Sequence, residues 1–342
     1  MRTKRKMKTE YIPSKLHTAS SKRRHHWKTA TIAALAALIL PAIVDATPPV
    51  RRAAANDPCI VTTRFMFRAA QHSALDDFNV ALAKANDEPT AEARIAARKQ
   101  ARADYQGGVD LANAQFRGRR ALCNDLDEVR YNPVIEPADF LSVAETAAKP
   151  NPLFPLVPGT TYNFRSVSPE GTETIEFAVT RGTRTILGVT CITVRDTVKL
   201  NDSVIEDTVD WFAQDRSGNV WYFGENTAEY DGGLITSIAG SWEGGVNGGK
   251  PGIIMFAMPV VGKVYRQELF LGEAEDAAEV LALNETVTVS TGTYTKCLKT
   301  EDFTPISPDN KEFKYYAPGI GNVLTITPGT GKRVELISVT TN

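Results

Sequence analysis

The chain has 342 residues, 42% apolar and 23% charged, with a formal net charge of −1. That is ordinary for a globular protein, with length for one large or two ordinary domains and enough apolar side chain for a real core. Ten of the 39 Lys/Arg but only two of the 40 Asp/Glu precede Thr47, so the rest carries 29 bases against 38 acids. Phosphate binding needs a basic surface, so this balance excludes nucleic acid as the expected partner.

Residues 1–46 read as a signal peptide. A basic stretch to Lys28 precedes an Ala/Leu/Ile-rich run that ends at Val44-Asp-Ala46, small residues suited to cleavage before Thr47. The apolar core, Ile32 to Val44, is short for a membrane span, so an uncleaved anchor is the alternative and no stable span is expected. Lys22-Arg-Arg-His-His-Trp-Lys28 resembles a twin-arginine export signal, although His26 and Trp27 replace its apolar pair. The expected location is exported, periplasmic or extracellular. Four cysteines in an oxidising compartment permit disulfides.

Residues 47–131 read as a helical hairpin. Phe65, Ala69, His72, Leu75, Phe78 and Leu82 recur at steps of three and four, as do Tyr105, Val109, Ala112 and Phe116. Asn86-Asp-Glu-Pro-Thr90 breaks the two runs, and Thr90 suits a helix start. Gly107-Gly108 marks an expected weak point of the second helix. Antiparallel packing brings Cys59 to Cys123, which predicts a disulfide there. His72 lies on the apolar stripe and reads as a packed side chain.

Residues 132–158 carry Pro133, Pro137, Pro150, Pro152, Pro155 and Pro158 and read as an extended connector along a surface. Residues 159–342 read as an antiparallel β domain, a sandwich or barrel, because many short strand-like runs alternate with turn signals and no helix intervenes. One strand is expected across Arg184–Val194. Val204 to Glu225 reads as two strands joined by a turn at Asp215-Arg-Ser-Gly-Asn219. Alternation puts Asp207, Val209, Trp211 and Ala213 on one face, and Glu206, Thr208, Asp210 and Phe212 on the other.

The β domain also repeats itself. Gly188–Asp196 parallels Gly292–Asp302, Trp211–Ala213 parallels Tyr315–Ala317, and Gly218–Val220 parallels Gly321–Val323, at an offset near 105 residues. A duplicated meander with its equivalent strands near a twofold axis predicts a second disulfide, Cys191 to Cys297. The overall class is α+β, mainly β: a disulfide-stapled helical hairpin before a duplicated antiparallel β domain.

Four stretches resemble a family of secreted bacterial β-rich proteins that carries no assigned activity. They are Asn151–Tyr162, Asp210-Trp-Phe-Ala-Gln-Asp-Arg-Ser-Gly-Asn-Val-Trp-Tyr-Phe-Gly-Glu225, Ser241–Gly245 and Lys314–Gly321. The block from Arg119 to Phe140 is similar to the start of the same family. The resemblance implies a secreted β domain with a helical arm and says nothing of substrate.

The four His are at 17, 25, 26 and 72, so the β domain has none. A Ser-His-Asp or Cys-His nucleophile there is excluded, as is a His-built zinc or copper site. No phosphate-cradling or dinucleotide motif is present, and Gly244–Gly249 lacks the strand-to-helix setting of one. Carboxylate chemistry remains. Asp207, Asp210, Asp215, Glu225 and Glu243 are the candidate acids, with Trp211, Trp221, Tyr222 and Trp242 as candidate ligand-binding aromatics. Glu273, Glu275 and Asp276, near Glu279, offer oxygens for a structural calcium, the only cofactor expected. Against these stand the commoner roles: strand aromatics fill cores, and strand carboxylates face water or pair with bases. The expected function is a non-catalytic exported binding protein for a small-molecule, glycan or envelope ligand, or for a protein. The alternative is an extracellular hydrolase of a polysaccharide or other polymer using paired carboxylates.

Overall fold

A computed structural model describes residues 56–126 and 130–342. The expected signal peptide lies outside the described residues.

Two long helices form the arm, α1 (Pro58–Asn86) and α2 (Ala91–Asp125). Asp57 caps the first, its carboxylate accepting from the Cys59 N–H at 2.9 Å, and Pro58 fills a first-turn position that needs no N–H. Thr90 Oγ1 accepts from the Ala93 N–H at 3.1 Å and starts the second. Phe67 meets Phe116, and Phe78 stacks on Tyr105, each at 4.9 Å between ring centroids. Cys59 and Cys123 are disulfide-bonded. Gly108 is a contact point: an added Cβ would stand 3.0 Å from that of Ala74, so its missing side chain lets the helices approach. Phe65 and His72 are exposed, although the stripe pattern turns them inward. A two-helix arm has one seam, and that seam is narrower than the stripe.

The proline-rich segment does more than connect. It holds a 3-10 turn at Pro137–Asp139 and a short helix, α3 (Val143–Ala148), closed by a capping box between Ser142 and Glu145. Beyond it the chain enters the core, where Leu153 and Leu156 are buried. Buried Asn151 fixes this passage. Its N–H donates to Gln214 Oε1, its Nδ2 to the Gly218 carbonyl, and its Oδ1 accepts from the Leu153 N–H, all at 2.8 Å.

The first meander is β1 (Thr160–Ser168), β2 (Gly171–Ile186), β3 (Val189–Leu200), β4 (Ser203–Gln214) and β5 (Val220–Asp231). β6 (Leu234–Ser237), β7 (Trp242–Glu243) and β8 (Lys250–Met255) all pair with β5. After β9 (Val264–Arg266) and β10 (Glu268–Leu269) comes the second meander. Its strands are β11 (Ala277–Val289), β12 (Gly292–Phe303), β13 (Lys311–Ala317), β14 (Gly321–Thr327) and β15 (Lys332–Thr341). β1 pairs with β15 and joins the two meanders. At the far side β10 pairs with β8, and β9 pairs with β11. Only Gln267 separates β9 from β10, so the ladder returns on itself as a barrel. Both backbone N–H groups of Gln267 and Glu268 reach the Asp276 carbonyl, at 2.8 and 3.3 Å.

The expected strand across Arg184–Val194 is in fact a hairpin. The chain turns at Leu187 and Gly188, with φ of 51° and 80°. Leucine rarely adopts a positive φ, so composition gives no turn signal there. The expected Cys191–Cys297 disulfide is corrected too: both are free, buried thiols. Cys191 packs on the outer face with Ile186, Val189, Trp211 and Phe223 beneath Phe140, whereas Cys297 packs with Val287 and Leu298 in the main core. β2, β1, β15, β14 and β13 stand between their strands. In a closed barrel, equivalent strands of two half-turns stand on separate walls, not side by side.

The arm is anchored by a buried ion pair. Arg119 Nε and Nη2 donate to the two Glu275 oxygens at 2.7 and 2.8 Å, with the residues 7% and 1% exposed. Gln115 Nε2 donates to the Ile306 carbonyl at 2.8 Å, and Gly118 lies against Pro305.

Candidate functional site

Strand alternation sends every second side chain into the barrel. Those of several strands leave a cavity of about 390 Å³. Its apolar wall includes Phe154, Phe164, Ile175, Phe177 and Phe212. Its polar wall includes Asp196, Asp210, Tyr222, Glu312 and Lys314. Phe212 stacks on Tyr222 at 4.7 Å, and Tyr222 meets Trp242 edge-on at 5.6 Å.

The polar wall is mostly acid. Tyr222 donates its hydroxyl to Asp210 Oδ1 at 2.6 Å. Burial, then the Glu225 charge, pushes Asp210 up to about 8. Glu225 stands directly opposite on β5 and is also pushed to about 8, by burial first and then by neighbouring carboxylates. Burial raises Asp196 and Glu268 well above the usual carboxylate range. Asp196 Oδ1 is buried with no hydrogen-bond partner. Lys314 is the half-buried cation here. Burial works against its charge, but Asp302 at 3.1 Å and Glu312 at 3.5 Å outweigh that and hold it protonated.

The structure separates the acids that the sequence grouped together. Asp210 and Glu225 face inward. Asp207 faces outward, where Arg195 grips it through two bonds of 2.8 Å and holds it below the usual range. Asp215 holds the turn: it accepts from the Asn219 N–H, Asn219 Nδ2 and the Trp221 indole at 2.8–2.9 Å. Glu243 pairs with Arg184, whose guanidinium lies 4.5 Å over the Trp211 ring. Of the aromatics, Tyr222 and Trp242 belong to the main core, and only Tyr222 lines the cavity. Trp211 and Trp221 belong to the outer cluster around Phe140. In the acidic stretch proposed for calcium, Glu275 is engaged by Arg119, while Glu273 is half-buried and Asp276 exposed. Among the described residues, no group of three or more His, Cys, Asp or Glu is placed to hold a metal ion.

Sequence reasoning missed Asp196 and Lys314. A usable signal existed for both. Asp196 shares its strand face with Val194, a charge beside an apolar inward residue, and Lys314 lies between Glu312 and Tyr316 on one face of its strand, an alternating acid, base and aromatic.

No family model matches this chain, and no curated protein matches it. Among solved structures, a "putative lipoprotein" from Parabacteroides distasonis is similar over 55% of this chain and 98% of its own, with 13% identity and a TM-score of 0.31. A likeness at that level bears on neither fold nor function. No described helix is long and apolar enough to cross a membrane.

Proposed function

We propose that this is an exported binding protein that holds a small, largely apolar ligand inside its barrel. The cavity carries this reading. Small-molecule sites are concave, mostly apolar, and fixed by a few polar groups, typically at about 300–1,000 Å³. This one has that size and that division of its walls. Export is supported by the basic segment, the apolar run and the Cys59–Cys123 disulfide. The same reading includes likeness to the secreted β-rich family and descent from a duplicated meander. In support of the latter, Gly188–Asp196 and Gly292–Asp302 fall on the β2–β3 and β11–β12 hairpins, and the other paired stretches on β4 with β13 and β5 with β14.

Binding of the fluorescent apolar probe N-phenyl-1-naphthylamine tests it. The protein purified after export should bind the probe saturably. Ile175→Trp, which fills the cavity, should weaken binding at least tenfold with an unchanged far-UV spectrum. A protein that does not bind, or a filled variant that binds equally well, overturns the proposal.

A second reading, a carboxylate hydrolase, rests on Asp210 and Glu225, both held partly protonated near neutral pH. It is the weaker one. The two acids stand side by side on adjacent strands, whereas glycoside hydrolysis needs them on either side of the bond to be cut. Turnover of a polysaccharide that Asp210→Asn abolishes without unfolding the protein would reverse the order.

A further inference from the structure

Resting on the cavity reading above, we propose that the ligand is an amphiphile with a primary ammonium head, held between Asp196 and Asp210, and an apolar tail along Phe154, Phe164 and Phe177. The first observation is unbalanced charge. The cavity's two lysines are already committed: Lys314 to Asp302 and Glu312, and Lys332 to Glu173 at 2.8 Å. Asp196 and Asp210 have no ion pair among the described residues. The second is an unmade bond. Asp196 lines the cavity, yet its Oδ1 is buried without a partner, and such an orphan is costly unless something completes it.

The third observation is spacing. Asp196 stands opposite Thr208, and Val194 opposite Asp210, so the two aspartates are diagonal neighbours on one face of the β3–β4 ladder. Diagonal neighbours lie about 7–8 Å apart at their bases. That leaves room for one small head group bridging both carboxyls. A hydroxyl offers one donor and no charge. A carboxylate would add negative charge to a wall where burial and neighbouring acids already disfavour it. A primary ammonium offers three donors and a positive charge that can replace the protons these acids otherwise hold, and charge-assisted bonds are roughly twice as strong as neutral ones. Phe212 and Tyr222, stacked beside Asp210, add the aromatic faces that cations favour. Raised proton affinity of both acids in the empty cavity fits the same picture, because an incoming cation would relieve it.

The test is displacement of N-phenyl-1-naphthylamine at pH 7 by decylamine, decanol and decanoate, which share a tail and differ in head. Decylamine should displace the probe at a concentration at least tenfold lower than decanol, with decanoate weakest. Asp196→Asn and, separately, Asp210→Asn should each cut the preference for the amine over the alcohol at least fivefold. If the amine is no better than the alcohol, or both variants keep the preference, the head-group assignment falls and the cavity reading stands. If the probe itself does not bind, both fall together.

Discussion

Asp210 ties the site to stability through pH. Its pKa is raised from 3.8 to about 8, so between those values the native state keeps a proton that the unfolded chain has lost. Stability must then fall as pH rises, by about 1.4 kcal/mol per pH unit for each such group, and level off above the folded pKa. Over the interval this is on the order of several kcal/mol, a large part of an ordinary domain's total. Asp210→Asn removes the titration and keeps an acceptor for the Tyr222 hydroxyl. The two proteins should be similarly stable near pH 4, and the variant more stable by several kcal/mol at pH 9. Glu225 stays in the variant, so its profile should be shallower rather than flat. Urea unfolding from pH 4 to 9, followed by tryptophan fluorescence, measures both profiles. Parallel profiles would refute the claim that Asp210 is buried with its proton.

Three further outcomes follow from contacts. Arg119→Ala leaves Glu275 buried and unpaired, and should cost about 3–5 kcal/mol by thermal or urea unfolding, whereas Arg119→Met with Glu275→Leu should recover most of that. A loss under about 1 kcal/mol in the single variant would show that the pair is wet. Replacing both Cys59 and Cys123 by Ala releases a crosslink spanning 64 residues, and the arm should lose up to about 4 kcal/mol of protection in hydrogen exchange. Cys191, its thiol pushed up to about 12 by burial, and Cys297 should both resist a thiol reagent in the native protein and both react once it is unfolded. Failure to react when unfolded without reductant would restore the disulfide rejected above.

The helical arm was legible because its signals are local: periodic apolar residues, a Thr cap and a break at Asn86–Thr90. The Val204–Glu225 hairpin was legible for the same reason, and alternation correctly split its faces. What failed was non-local. Leu187 takes a turn conformation that its type disfavours, because barrel register requires a reversal there. The proline-rich segment looked like a surface connector because proline excludes long helix and interior strand, but it does not exclude burial of Leu153 and Leu156. At the site, alternation put Asp210 and Phe212 on one face without revealing that this face encloses a cavity. Closure depends on Gln267 joining two ladder ends, and what β9 and β10 pair with, β11 and β8, is not written in their own few residues. The outward aromatics Trp211 and Trp221 were therefore as attractive as the inward Tyr222.

Glu275, the barrel end of the buried ion pair, is followed in the chain by Asp276, whose carbonyl takes the N–H groups of Gln267 and Glu268 at the closing seam. The handle and the clasp are thus one residue apart. A pull on the helical arm therefore passes through Arg119 to the residue beside the seam where β9 and β10 close the ring of strands.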